Sequence, residues 1–380
     1  MTTTEQDRRL NPYPWYQVMR ANSPIAYNES YHSWSVFSYD AVQRGLTDYQ
    51  DFSSQIMGSG EGSPLGTSLV NTDPPRHRKL RSIVTQAFTP RTIAQLTPRI
   101  TQIVNELIDD VAAKGHMNVI TDLAYPLPVI VIAELLGVPA KYRQQFKLWS
   151  DVIVGSENPA GGEPQQEMTD YFSVLIEERR REPQDDLISA LLKAQVDGEY
   201  LTEQELVGFF ILLLVAGNVT TTNLIGNSFL CFDEFPDALE QLYANHSLIP
   251  IAIEEVLRHR SPVSNMYRVV REDTMLDDKR IAAGSFMVAW IASANRDETQ
   301  FPHADTFDIT RSPNRHLAFG HGIHFCLGAP LARLEAKIAL EVMLARLPEM
   351  RRVPDVSLEA LSSMILYGVK NLPITFKPML

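Results

Sequence analysis

Apolar positions recur every three to four residues from near residue 75 to about residue 260, the period of helices with one buried face. The pattern predicts helices over 90–114, 128–136, 142–154, 166–180, 187–195 and 202–232, and a last long helix over 329–347. Outside these stretches it shortens and alternates. The piece 33–37 reads as a strand, and 261–290, with turns at DDK and AAG, reads as a small β region. The coda SMILYGVKNLPITFKP (363–378) predicts a terminal hairpin. Stretches 51–73 and 156–166 carry turn residues without a period and read as loops. The chain is therefore mainly α, with a large helical portion over about 75–260 and 329–347. A smaller β-rich portion covers about 12–72, 261–292 and 355–380. No linker or repeat divides the span 1–380, which reads as one domain.

Composition narrows the class. Apolar residues make up 44% of the 380 positions and charged residues 21%, as in ordinary soluble proteins. Two distant cysteines, Cys231 and Cys326, exclude a disulfide scaffold and a multi-thiolate zinc site. A net charge of -12 argues against a nucleic-acid binder. The start MTTTEQDRRLNPYPWY has no apolar core, so it reads as no signal peptide. The longest apolar run, 209–217, is half a bilayer span. These features predict a soluble, cytoplasmic protein without a membrane anchor.

The sharpest chemistry lies in FGHGIHFCLGAPLAR, residues 319–333. Glycines 320, 322 and 328 crowd Cys326, and a helix opens directly after it with Pro330 in its first turn. A helix N-terminus favours a thiolate. One thiolate alone holds neither zinc nor an iron–sulfur cluster, but it can be the axial ligand of a haem iron. FGHGIHFCLG resembles the haem-binding signature of the cytochrome P450 superfamily at every fixed position, and the resemblance extends over nearly the whole chain. It is closest to the soluble bacterial branch. It implies the P450 fold, a haem b cofactor with Cys326 on the metal, and use of O2. It also implies a monomer that takes electrons from NAD(P)H through a ferredoxin or flavodoxin and its reductase.

Further residues fall into the family's register. Glu255 and Arg258 form ExxR, with both side chains on one helix face. The resemblance makes them a buried structural pair, with Arg311 as a candidate third member. His77 and Arg81, at i and i+4 in DPPRHRKLR, suit an anion. The resemblance assigns them, with Arg268 and His324, to the haem propionates, and places Phe319, Gly320 and Gly328 against the cofactor. Arg76, Arg78, Lys79, Arg333 and Lys337 read equally as a docking patch for an acidic redox partner or as a solvated basic face. In FFILLLVAGNVTTTNLIGN (209–227), small residues and hydroxyls predict a locally loosened helix. By resemblance Ala216, Gly217, Asn218, Val219 and Thr220 form the oxygen groove, with Thr220 as the protonating threonine.

Val219 departs from the family pattern, which has Asp or Glu before that threonine. Three readings stay open: protons arrive through water, Thr220 or Asn218; coupling is poor and peroxide leaks; or the enzyme is peroxide-driven or otherwise atypical. A reading of another class is a non-catalytic haem-thiolate sensor or ligand-binding protein. Register assigns the substrate pocket to Ile56, Met57, Leu65, Leu69, Val215, Val263, Met266, Ile365 and Leu366, each of which reads equally as plain core. Their apolar character implies an apolar or amphipathic small molecule such as a fatty acid, terpenoid or steroid.

Overall fold

The computed structural model describes residues 5–55, 66, 68–142, 144–146, 148–149 and 163–378. The helical portion is organised by one helix of 32 residues, Glu203–Glu234. Its start is fixed by a reciprocal cap: Glu205 N–H donates to Thr202 Oγ1 at 3.3 Å, and Thr202 N–H donates to Glu205 Oε2 at 2.9 Å. The helix is long and apolar enough to cross a bilayer, yet 61% of its most apolar window is buried within the fold. It is a core helix. Around it pack Pro126–Leu135, Pro164–Arg181, Ile249–His259 and Ala329–Arg346. Together they enclose the larger hydrophobic core.

A five-stranded sheet forms the smaller layer, in the order Ile25–Asn28, Ser33–Val36, Phe286–Ala289, Met266–Val270, Phe52–Ser53. Only the pair Ser33–Val36 with Phe286–Ala289 runs parallel. The second core lies under this sheet.

Three expectations are corrected here. The helix expected over 90–114 is two helices, Pro90–Gln95 and Thr97–Ala112. The chain turns at Leu96, whose N–H bonds to the Ile93 carbonyl, and Pro98 has no N–H with which to continue the ladder. The terminal hairpin does not form within 363–378. Pro373–Thr375 instead pairs with His116–Asn118 and Arg351–Arg352, while Leu366 bridges to Val263. The stretch 12–72 also carries two helices, Tyr13–Asn22 and Tyr39–Thr47, whose buried faces seat them on the sheet. The expected helix over 142–154 falls partly outside the described residues.

Candidate active site

The cysteine loop owes its shape to local backbone chemistry. Gly320 and Gly322 adopt φ of 72° and 70°, where a side chain is strained, and a Cβ on Gly322 would also lie 3.0 Å from Thr47 Cα. Cys326 N–H then closes the loop on the Phe319 carbonyl at 2.9 Å. Helix Ala329–Arg346 begins three residues later. Burial pushes the Cys326 thiol up. The N–H groups of Gly328 and Ala329 and the charges of Arg81 and Arg333 pull the other way but do not overcome it. The helix start and the two arginines thus act in the direction expected from sequence, and burial acts against them.

The thiol faces a cavity of about 310 Å³ between the cysteine loop and the central helix. Ala216, Gly217 and Thr220 line its far wall. Thr220 Oγ1–H donates to the Ala216 carbonyl at 2.5 Å, the predicted back-bond, but the helix stays continuous. Asn218 and Val219 are off the cavity wall. Asn218 is buried, and its Oδ1 accepts from Thr222 Oγ1 at 3.3 Å. Leu69, Val263 and Met266 line the cavity as expected; Val215, Ile365 and Leu366 do not. Val215 packs against the larger core, and Ile365 is 37% exposed. Ile56, Met57 and Leu65 lie outside the described residues.

Leu212 and Leu213 line the cavity from the helix stretch 212–220 that register gave to the pocket, and the wall missed from sequence is Phe209 and Leu224. All four sit three to four residues apart in series with Ala216 and Thr220, so stepping from Thr220 along one helical face finds them. Glu335 also lines the cavity, fully buried with Oε2 unpartnered, and burial raises its carboxyl well above the ordinary range.

One edge of the cavity gathers donors. Arg81, Arg268 and His324 reach it, joined by His321. Neither Arg81 nor Arg268 makes an ion pair among the described residues, and Arg268, 4% exposed, donates only to its neighbour's carbonyl, Tyr267 O, at 2.8 Å. His77 packs its ring 4.3 Å from that of His324, and Nε2 of each is buried without a partner. Burial, helped by the charges of His324 and Arg81, lowers His77 to about 4, so it offers a neutral N–H at pH 7. Two uncompensated guanidinia and two unsatisfied imidazoles call for a ligand with two carboxylates. Among the described residues no group of three or more His, Cys, Asp or Glu could hold a bare metal ion. A macrocycle that brings four nitrogens and two propionates fits this donor set.

Behind the cysteine loop lies the ExxR network. Arg258 has five N–H donors, and all are used. They reach both Glu255 oxygens at 2.8 Å and the carbonyls of Asn295, Ala304 and Thr306 at 3.0, 2.7 and 2.9 Å. Arg311 Nε lies 3.2 Å from both Glu255 oxygens, placing it in the same network. Next door, Glu254 accepts from Arg333 and His316. Burial alone would raise its carboxyl, but these bonds outweigh it and hold it at about 2.

Most of the five cations carry a surface ion pair. Arg76 pairs with Glu205, Lys79 with Glu199, Arg333 with Glu254 and Lys337 with Glu341. Of the five cations, only Arg78 makes no ion pair among the described residues.

A mainly helical fold closed around a cavity, with one cysteine on a glycine-shaped loop beneath it and donors for carboxylates at its edge, fits a haem-thiolate protein. The family model for Cytochrome P450 matches residues 26–144 and 131–348. The putative cytochrome P450 YjiB of Bacillus subtilis (strain 168) is 44% identical over 372 residues, 95% of this chain and 93% of that protein. The crystal structure of substrate-free CYP109E1 from Bacillus megaterium matches with TM-score 0.93 and 44% identity, covering 98% of this chain and 100% of that one. The same protein in complex with testosterone matches with TM-score 0.92, 44% identity and the same coverage. The chain belongs to the cytochrome P450 family. It is a P450 monooxygenase of the bacterial kind, whose chemistry uses haem and O2.

Proposed function

We propose that haem b occupies this cavity, with Cys326 as its proximal ligand, and that the enzyme hydroxylates an uncharged, largely apolar substrate of steroid or terpenoid size. The observation that carries this reading is the division of the cavity. Its cations gather at the edge that suits the propionates, and its far wall, from Leu69 and Phe209 to Val263 and Met266, is apolar. The sequence has no lysine or arginine between Arg44 and Arg76, a stretch that holds the pocket candidates Ile56, Met57, Leu65 and Leu69. A fatty-acid carboxylate drawn into such a pocket would leave an unpaired charge, which is costly. The complex of CYP109E1 with testosterone supports a neutral polycyclic ligand.

Haem bound here supplies oxygen activation and the oxidising equivalent for inserting oxygen into a C–H bond. The chain supplies the rest. His77, Arg81, Arg268 and His324 hold the propionates, and Phe319, Gly320 and Gly328 lie against the macrocycle. Ala216 and Gly217 leave room for O2, and Thr220 Oγ1 holds a proton at the groove. We read the chain as a single-domain cytoplasmic monomer fed from NAD(P)H by a ferredoxin or flavodoxin and its reductase. Phe325, 42% exposed beside Cys326, supports electron entry from that side.

The test is a spin-state titration of the ferric holoprotein with testosterone, a monoterpene, and a fatty acid alongside its methyl ester. Neutral ligands should shift the iron to high spin, with the ester binding more tightly than the acid. A free acid that binds as tightly as its ester would overturn the substrate assignment.

Val219 carries a second expectation. It is off the cavity wall, and its side chain can donate no proton. The wild-type enzyme should release part of its reducing equivalents as peroxide. Val219→Glu should cut that peroxide share by about twofold or more, a small part of what a positioned acid can contribute. Equal peroxide per electron in the two forms would remove the proton-relay argument.

A further inference from the structure

Asp73 has no part in the roles above, yet it is the most heavily bonded carboxylate at the donor edge of the cavity. Its side chain is 1% exposed. Ser53 Oγ–H and Arg271 Nη2–H donate to Oδ2 at 2.5 and 2.6 Å, and Ser54 N–H reaches Oδ1 at 3.3 Å. His324 Nε2, buried and otherwise without a partner, lies 3.8 Å from Oδ1. Burial disfavours the charge on Asp73, but His324, Ser53, Arg271 and Ser54 outweigh it and hold the carboxyl well below the usual range.

Four chain segments therefore meet on one carboxylate: strand Phe52–Ser53, the entry to helix Arg76–Ala87, the residue after strand Met266–Val270, and the cysteine loop. The charges also balance. Arg81, Arg268 and Arg271 bring three positive charges to this edge, and Asp73 takes up one. Two remain, the number that two propionates neutralise.

We propose that Asp73 is a positioning residue for the propionate anchors. Its negative charge, 3.8 Å from His324 Nε2, holds that ring at the donor edge, and it absorbs the charge of Arg271, leaving Arg81 and Arg268 free for two carboxylates. This rests on the haem reading above. Its anionic charge has a second consequence: it disfavours adding an electron to the iron, and so holds the reduction potential down.

The experiment uses holoprotein whose reduced CO complex shows the haem-thiolate signature; absence of that signature would overturn the haem reading and this inference with it. Potentiometric titration and haem transfer to apomyoglobin are then measured on three variants. Asp73→Asn keeps the shape and removes the charge, and should raise the potential and speed haem transfer about tenfold. Arg271→Gln leaves the Asp73 charge uncompensated and should lower the potential. Ser53→Ala removes a hydrogen bond without a charge and should leave the potential near wild type. The opposite signs for Asp73→Asn and Arg271→Gln are the result a packing role would not produce. If Asp73→Asn does not fold with haem, the Arg271→Gln and Ser53→Ala pair decides alone. Unchanged potentials in the charge variants, or an equal shift in Ser53→Ala, would overturn the proposal.

Discussion

Glu255→Gln is expected to destabilise the holoprotein by about 3–5 kcal/mol, the range for breaking a buried ion pair from one side. The glutamine has nearly the same shape, so the loss is electrostatic. Glu255 accepts two bonds from Arg258, others from Arg311 and Asn314, and one from the Asp308 N–H. The variant leaves two guanidinia, 0% and 9% exposed, without their counter-charge. One amide N–H2 would also have to face groups that donate. Glu254, one residue away, is the control. It is 28% exposed, so Glu254→Gln should cost nearer ~1 kcal/mol. Denaturant midpoints of the three holoproteins, with unchanged slopes, give the comparison. Equal losses at 254 and 255 would mean that the network does not stabilise the region behind the cysteine loop as the geometry indicates.

Cys326→Ser should leave the fold nearly intact and abolish turnover. The loop is held by the Cys326 N–H bond to Phe319 and by the glycine dihedrals, none of which uses sulfur. Thermal stability of the apoprotein should therefore change little. Activity should fall by on the order of a thousandfold or more, ~4 kcal/mol of activation free energy. A serine oxygen lacks the electron donation that thiolate gives to O–O cleavage. The reduced CO complex should lose its thiolate signature in the same variant. Product formation above about a tenth of the wild-type rate would remove Cys326 from the proposed role.

The cysteine loop was legible in sequence because its chemistry is local. Glycines that take positive φ, a thiol and a helix start lie within ten residues, and no distant partner is needed to recognise them. The same holds for Glu255 and Arg258, one helical turn apart. The side of the pocket was not legible. Residues Phe209 to Val215 are apolar all round, so the pattern carries no phase, and Val215 looked as eligible as Leu212 or Leu213. The face is set only once Thr220, further along the helix, is taken to meet the cavity, and packing against Ala329–Arg346, Ile249–His259 and the cysteine loop puts it there. The basic residues show a related limit: charge type is visible in sequence, while the pairing of Arg76 with Glu205, 129 residues away, is not.

By itself the sequence determined the mainly helical class, the family, the glycine-shaped cysteine loop and the ExxR pair, because the motifs that carry them are a few residues long. Tertiary structure decided the rest. It placed Arg311 on Glu255, turned Asn218 away from the cavity and gave Pro373–Thr375 its partners across the chain. It also assembled the donor edge around Asp73. These outcomes depend on which surfaces exclude water and which distant groups meet there, and a linear pattern carries neither.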